Sequence, residues 1–156
     1  VRDGDLALMY AETMLLNLGA TYLLKSTVGR ARPFVYNDDP DIPDGLKRSR
    51  FAVRSFPSGH TSNAFAAAVF FATAHQRLYP DSSAGPWVWS GCLATAAATG
   101  YLRVAAGKHF PTDVVAGAAL GALVGWLVPH LHETAGDPAG AATKTAPVRL
   151  GFGLRF

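Results

Sequence analysis

Four long apolar runs divide the chain, at residues 6–24, about 61–79, about 87–106 and 114–132, and most of its charge lies between them. The first run carries one charge, Glu12, and the last carries no Asp, Glu, Lys or Arg. A helix of about 19 residues is roughly 28 Å long, which matches the hydrocarbon core of a bilayer. Length and apolarity therefore permit membrane spans, and the same runs could form a soluble helical bundle. Ala and Gly dominate the third and fourth runs, and small residues let helices approach closely in either setting. Trp87 and Trp89 fit an interfacial belt or an ordinary core.

Composition narrows the class. The 156 residues suffice for one domain. Charged residues make up 16% and hydrophobic ones 49%, which excludes intrinsic disorder and leans towards a membrane protein or a deeply buried helical one. A net charge of +3 is too mild for a dedicated nucleic-acid binder, so no nucleic-acid partner is expected. The single cysteine, Cys92, excludes an intrachain disulfide framework and a cysteine-cluster zinc site. The chain begins at Val1 without an initiator Met or an apolar leader, and reads as an excerpt or a processed product.

Between the first two runs lies a long polar loop, 33–57, in which acidic NDDPDIPDG precedes basic LKRSRFAVR. It is expected to be a solvated loop, or to offer a phosphate-attracting rim of Lys47, Arg48, Arg50 and Arg54. The domain is expected over 1–135. Residues 136–156 read as a flexible linker by content, ending in the tail VRLGFGLRF.

Three polar clusters interrupt the apolar chain: KSTVGRARP with Lys25 and Arg32, FPSGHTSN with Ser58, Gly59 and His60, and LRVAAGKHFPTD with Arg103, His109 and Asp113. They fall at the end of the first run, the start of the second, and the junction of the third and fourth. Successive helices in an up-down bundle are antiparallel, so all three clusters should meet at one end. If the first helix continues through Arg32, a spacing of seven puts Lys25 and Arg32 on one face, with Pro33 ending the helix. Ser58, Gly59 and His60 open a helix whose first N–H groups are free to bind an anion. Asp113, four residues after His109, can orient that imidazole. Three cations, backbone amides and two histidines suit a tetrahedral oxyanion, and the set suits phosphoryl transfer through a phosphohistidine. The neighbouring cations argue electrostatically against a metal at the two histidines.

These three motifs, in order, resemble the signature of the type 2 phosphatidic acid phosphatase superfamily, which includes lipid phosphate phosphatases, class A acid phosphatases and vanadium haloperoxidases. The resemblance covers about residues 6–131, and membrane members carry more helix upstream than these residues hold. It implies an all-α antiparallel helical bundle, transmembrane, with the long polar loop between its first two helices. It makes His109 the nucleophile, Asp113 its orienting partner and His60 the acid and base on the leaving group. Lys25, Arg32, Ser58, Gly59 and Arg103 would hold the phosphate, with no metal and no cofactor. The family's third motif usually has Ser before its Arg, where this chain has Leu102. His75, His130 and His132 match no motif position and are expected to be structural.

The implied activity is hydrolysis of a phosphate monoester or diphosphate, lipid-linked as in phosphatidate or undecaprenyl diphosphate, at a bilayer with the site facing the periplasm or outside. The seven basic residues from Lys25 to Arg54 would by themselves place that end in the cytoplasm, but at least two are expected to be phosphate ligands. The alternatives are a soluble periplasmic acid phosphatase of broad specificity and a catalytically silent helical bundle. The oligomeric state is not legible.

Overall fold

A computed structural model describes residues 3–136, and its described residues form helices joined by turns and loops, with no strand among them. The four apolar runs become α1 (Asp3–Val28), α3 (Gly59–Leu78), α4 (Gly85–Ala105) and α5 (Pro111–Gly136). α1 and α5 overrun their apolar runs at both ends, whereas α3 and α4 begin two residues early and stop one short, because backbone hydrogen bonding continues until a cap or a special conformation stops it. The expected linker and tail lie outside the described residues, apart from Gly136, which closes α5. α3 is the central helix, packed against α1, α4 and α5.

The first helix does not continue to Arg32. It stops at Val28, and Gly29 turns the chain in the left-handed region at φ +61°, where only glycine sits without strain. Arg32 is extended, at φ −81° and ψ 156°, so the spacing of seven from Lys25 is not a helical one. Pro33 opens a 3-10 turn over Pro33–Tyr36, and a single turn of helix, α2 (Asp44–Lys47), follows.

The loop expected to be solvated is folded onto the bundle end. Arg32 N–H donates to Ala52 O at 2.8 Å and Ser55 N–H to Arg30 O at 2.9 Å, tying the two ends of the loop together. Phe34, Ala52 and Ser55 are buried, and Phe34 stacks on Phe51. Its acidic half, from Asp38 to Asp41, remains exposed as expected.

An apolar cluster of Met9, Phe70, Ala74 and Val128 closes the end of the bundle away from the loop, but the rest of the inward stripes is small or polar while leucines face out. The inward stripe of α1 advances by four residues through Met9, Thr13, Asn17 and Thr21, while Leu15, Leu16 and Leu23 are exposed, Leu15 at 69%. Asn17 Nδ2 donates to Asn63 Oδ1 and Ser62 Oγ to Asn17 Oδ1, both at 2.7 Å, and Thr21 Oγ1 donates to Ser62 Oγ at 3.3 Å. The inward stripe of α5 has the same step, Asp113, Gly117, Gly121 and Gly125. A Cβ on those glycines would strike the carbonyls of Ser58, Ser62 and Ala66, so α5 lies directly on the backbone of α3. Small residues at the contact, hydrogen bonds between helices and leucines outside are what a bundle needs when its solvent is hydrocarbon. Within α5, Pro111–His132 is long and apolar enough to cross a membrane, at a mean hydropathy of 1.8.

Candidate active site

The ends of α1 and α4 and the starts of α3 and α5 meet at one end of the bundle, as helix alternation requires. Ser58 N–H donates to Asp113 O at 2.8 Å, fixing the start of α3 to the start of α5. Gly59 sits so close to α1 that a Cβ there would touch Lys25 Cε and Thr21 Cγ2 at 3.4 Å. The end of α4 carries the third cluster: the Arg103 carbonyl accepts from Lys108 N–H at 3.1 Å and His109 N–H at 3.2 Å, and the chain reverses at Gly107.

A cleft of about 460 Å3 opens at this end. Lys25, Arg32, Gly59, His60 and His109 line it, with Thr21, Tyr22, Phe51, Arg54 and Asn63 among its walls. Lys25 Nζ donates to the carbonyls of Arg54, Ser55 and Pro57, which anchor it beside the second motif. The Arg32 guanidinium lies over the Phe51 ring, 3.7 Å from its centroid, and donates to the carbonyls of Phe51, Lys108 and Arg54.

Arg32 Nη1 is also 3.3 Å from His109 Nε2. A guanidinium has no acceptor, so this contact is a hydrogen bond only when Nε2 holds a lone pair. The proton then sits on Nδ1, which faces Ser55 Oγ at 3.4 Å and Asp113 Oδ2 at 3.6 Å. His109 is therefore held as a neutral ring with an unprotonated nitrogen on the cation side.

Asp113 is fully buried and its carboxylate is saturated. Oδ1 accepts from Arg30 Nη1 at 2.8 Å, and Oδ2 accepts from Ser55 Oγ and from Phe110 N–H at 2.9 Å. Sequence reasoning missed both Arg30 and Ser55. Arg30 also donates to Thr112 Oγ1 at 2.7 Å and covers the Phe110 ring.

Electrostatics agree with this protonation. Burial first, then the charges of Arg32, Lys25 and Arg103, hold the His109 imidazole far below its ordinary value, at about 4, against the opposing pull of Asp113. His60, at the tip of α3 ahead of its apolar run, is also pushed down, by partial burial and then by Arg103, Arg32 and Lys25. Arg32 is lowered to about 10 by burial and by Arg103. Three cations crowd one another beside two neutral rings.

Two expected phosphate ligands stand differently. Arg103 does not line the cleft, yet its charge bears on Arg32 and on both imidazoles, and its Nε is buried with no hydrogen-bond partner. Ser58 is buried beneath the site; its hydroxyl accepts from Thr61 Oγ1 at 2.9 Å, and its N–H is taken by Asp113. Of the four rim cations, only Arg54 lines the cleft, and Lys47 turns to the Asn37 carbonyl instead. Leu102 is exposed and outside the cleft. His75, His130 and His132 lie away from it, against Tyr79, Trp126 and Glu12 respectively.

A profile of the PAP2 superfamily matches residues 6–137. The chain belongs to the PAP2 superfamily. A lipid A 1-phosphatase of Porphyromonas gingivalis is 39% identical over 85 residues, 54% of this chain and 17% of the relative. Phosphatidylglycerophosphatase B of Bacillus subtilis is 31% identical over 123 residues, 77% of this chain and 57% of the relative. The chain thus spans about a sixth of the first relative's length and somewhat over half of the second's. The crystal structure of a transmembrane PAP2-type phosphatidylglycerolphosphate phosphatase from Bacillus subtilis matches with a TM-score of 0.58 and 28% identity, covering 83% of this chain and 67% of that one. The all-α bundle is thus that of a membrane PAP2 protein, as the motifs implied.

Proposed function

We propose that this chain carries the catalytic site of a membrane phosphatase that hydrolyses a lipid-linked phosphate monoester or diphosphate through a phosphohistidine. The observation that carries this reading is the His109 ring. It is buried and neutral, with Nδ1 turned to Asp113 and Nε2 among the cations. Nε2 attacks phosphorus, and the P–O bond to the leaving group breaks as His60 gives that oxygen its proton. The alcohol leaves. His60, now neutral, takes a proton from water as the water oxygen attacks phosphorus. The P–N bond breaks, and inorganic phosphate and the free His109 ring are restored.

Lys25, Arg32 and Arg103 stabilise charge on the phosphoryl oxygens, with Gly59 permitting close approach and Ser58 fixing the helix start beneath them. A phosphate dianion would offset the three cations that hold both imidazoles down, so substrate binding itself favours the protonated His60 that the first step needs. The leucine-covered bundle supports a lipid substrate. The site faces the periplasm or outside in this reading: Lys25 and Arg32 are committed to the cleft and Arg30 to Asp113, so the basic residues of this end are weak topological signals.

Phosphate release from phosphatidate and p-nitrophenyl phosphate, with an EDTA arm, tests the proposal. His109→Ala should fall below about one hundredth of wild type on both. Wild-type turnover should survive EDTA. Turnover retained by His109→Ala would end the assignment.

A further inference from the structure

Beyond the reacting phosphate, the cleft holds a fourth cation that the mechanism does not use. Arg54 shares the cleft walls with Lys25 and His60, and its half-buried side chain lies against the exposed Tyr22 ring, with Cζ 5.4 Å from the centroid. Its backbone carbonyl, by contrast, is part of the cation cluster, accepting from Lys25 Nζ at 3.1 Å and Arg32 Nη2 at 3.2 Å. Main chain and side chain thus serve different places. The charges that bear on both imidazoles are those of Lys25, Arg32 and Arg103, and Arg54 is not among them. Its charge is felt at Lys25 but not at either imidazole, so the guanidinium stands off from the two histidines, on the Lys25 side of the cleft. No carboxylate pairs with it among the described residues, unlike Arg30, which Asp113 neutralises.

We propose that Arg54, laid against Tyr22 at the mouth of the cleft, is a subsite for a second anionic group joined to the reacting phosphate by a short linker. The proposal rests on the phosphatase reading above and deepens it. A volume of about 460 Å3 holds more than one phosphate. Arg presents a planar fork that grips phosphate oxygens at two points, and an aromatic ring under it fixes that fork in place. Leu18, Tyr22 and Phe51 give the same mouth an apolar flank for the rest of a lipid. The subsite selects phosphate esters that carry a neighbouring phosphodiester, carboxylate or second phosphate.

The test compares three esters in detergent micelles: phosphatidate and p-nitrophenyl phosphate, without a second anion, and phosphatidylglycerol phosphate, whose phosphodiester neighbours the reacting monoester. Arg54→Gln should lower kcat/KM on phosphatidylglycerol phosphate about tenfold, through KM, and leave the other two within about twofold. Arg54→Lys, which keeps the charge, should recover part of that loss. Equal loss on all three esters, or no loss on any, overturns the subsite while leaving the phosphatase reading intact. A wild type that turns over none of the three overturns both.

Discussion

The two seams by which α3 meets its neighbours are built on opposite plans. Against α1 it uses side chains: Asn17, Thr21, Ser62 and Asn63 form a hydrogen-bonded ladder. Against α5, over the half nearest the site, it uses backbone: Gly117, Gly121 and Gly125 bring the helices together over the carbonyls of Ser58, Ser62 and Ala66, and side chains take over only farther along, where Phe70 and Ala74 meet Val128. Ser62 belongs to both, with its hydroxyl in one seam and its carbonyl under the other. Large apolar groups gather at the end away from the site, where Met9, Phe70 and Val128 cluster; along the rest of both seams leucine stays outside, since it gains little by leaving a hydrocarbon solvent. The glycine seam sets the spacing of Asp113 and His109 from the start of α3, and the polar seam sets that of Lys25. A seam of backbone contacts has no rotamer with which to adapt; a ladder of side chains has several.

That difference predicts unequal tolerance. Gly121→Leu places a side chain where Ser62 O and Ala66 N already lie, so α5 must move as a body. Overpacking of ordinary cores costs about 1–3 kcal/mol, and a clash with backbone belongs at or above the top of that range. The variant should lose most of its folded population in detergent, and what remains should hydrolyse phosphate esters at below about one tenth of the wild-type rate, since Asp113 rides on the same helix. Near-normal melting would show that the seam is looser than its contacts imply.

The seams also differ in their response to acid. The polar seam holds neutral amides and hydroxyls along its length. The glycine seam ends at His109 and Asp113. With the His109 value at about 4 when folded and about 6.5 when unfolded, the unfolded chain binds the extra proton. Stability from this group is thus complete above about pH 6.5 and is lost as pH falls towards 4. The loss between pH 7 and 5 should be on the order of 2 kcal/mol. Melting curves across that range should drop for wild type and flatten for His109→Gln. Equal slopes in the two proteins would mean that another group carries the acid response.

How much of this was legible from the chain follows from the same contrast. The four helices were plain because an apolar run of bilayer length has few other uses, and their alternation was enough to bring Lys25, His60, Arg103, His109 and Asp113 to one end. The path to Arg32 was misread. Gly29 stops α1 early, and Arg32 reaches His109 by lying on Phe51, nineteen positions away in the chain, a contact that no local pattern announces. Arg30 and Ser55 stand next to motif residues, but nothing in their type separates an Asp113 partner from a solvated neighbour. Thr13, Asn17 and Thr21 stand four apart but were not read as a stripe, and the spacing alone gives no direction, which depends on the solvent. In water those residues would face out; in lipid they face in.

The polar seam offers the finest test, because its energy is small and divisible. Asn17→Leu keeps nearly the same volume but strips partners from Asn63 Oδ1 and Ser62 Oγ together. Interhelical hydrogen bonds in membrane proteins are worth about 0.6 kcal/mol on average, so the cost should be about 1 kcal/mol, well below that of Gly121→Leu. Ser62→Ala removes the donor that Asn17→Leu would orphan, without touching the carbonyl beneath Gly121. The double variant should therefore melt above the additive expectation, with a coupling of about 0.5 kcal/mol or more in a double-mutant cycle. Strict additivity would mean that Asn17 and Ser62 stabilise the bundle separately, and the ladder would then be a row of independent contacts rather than a seam.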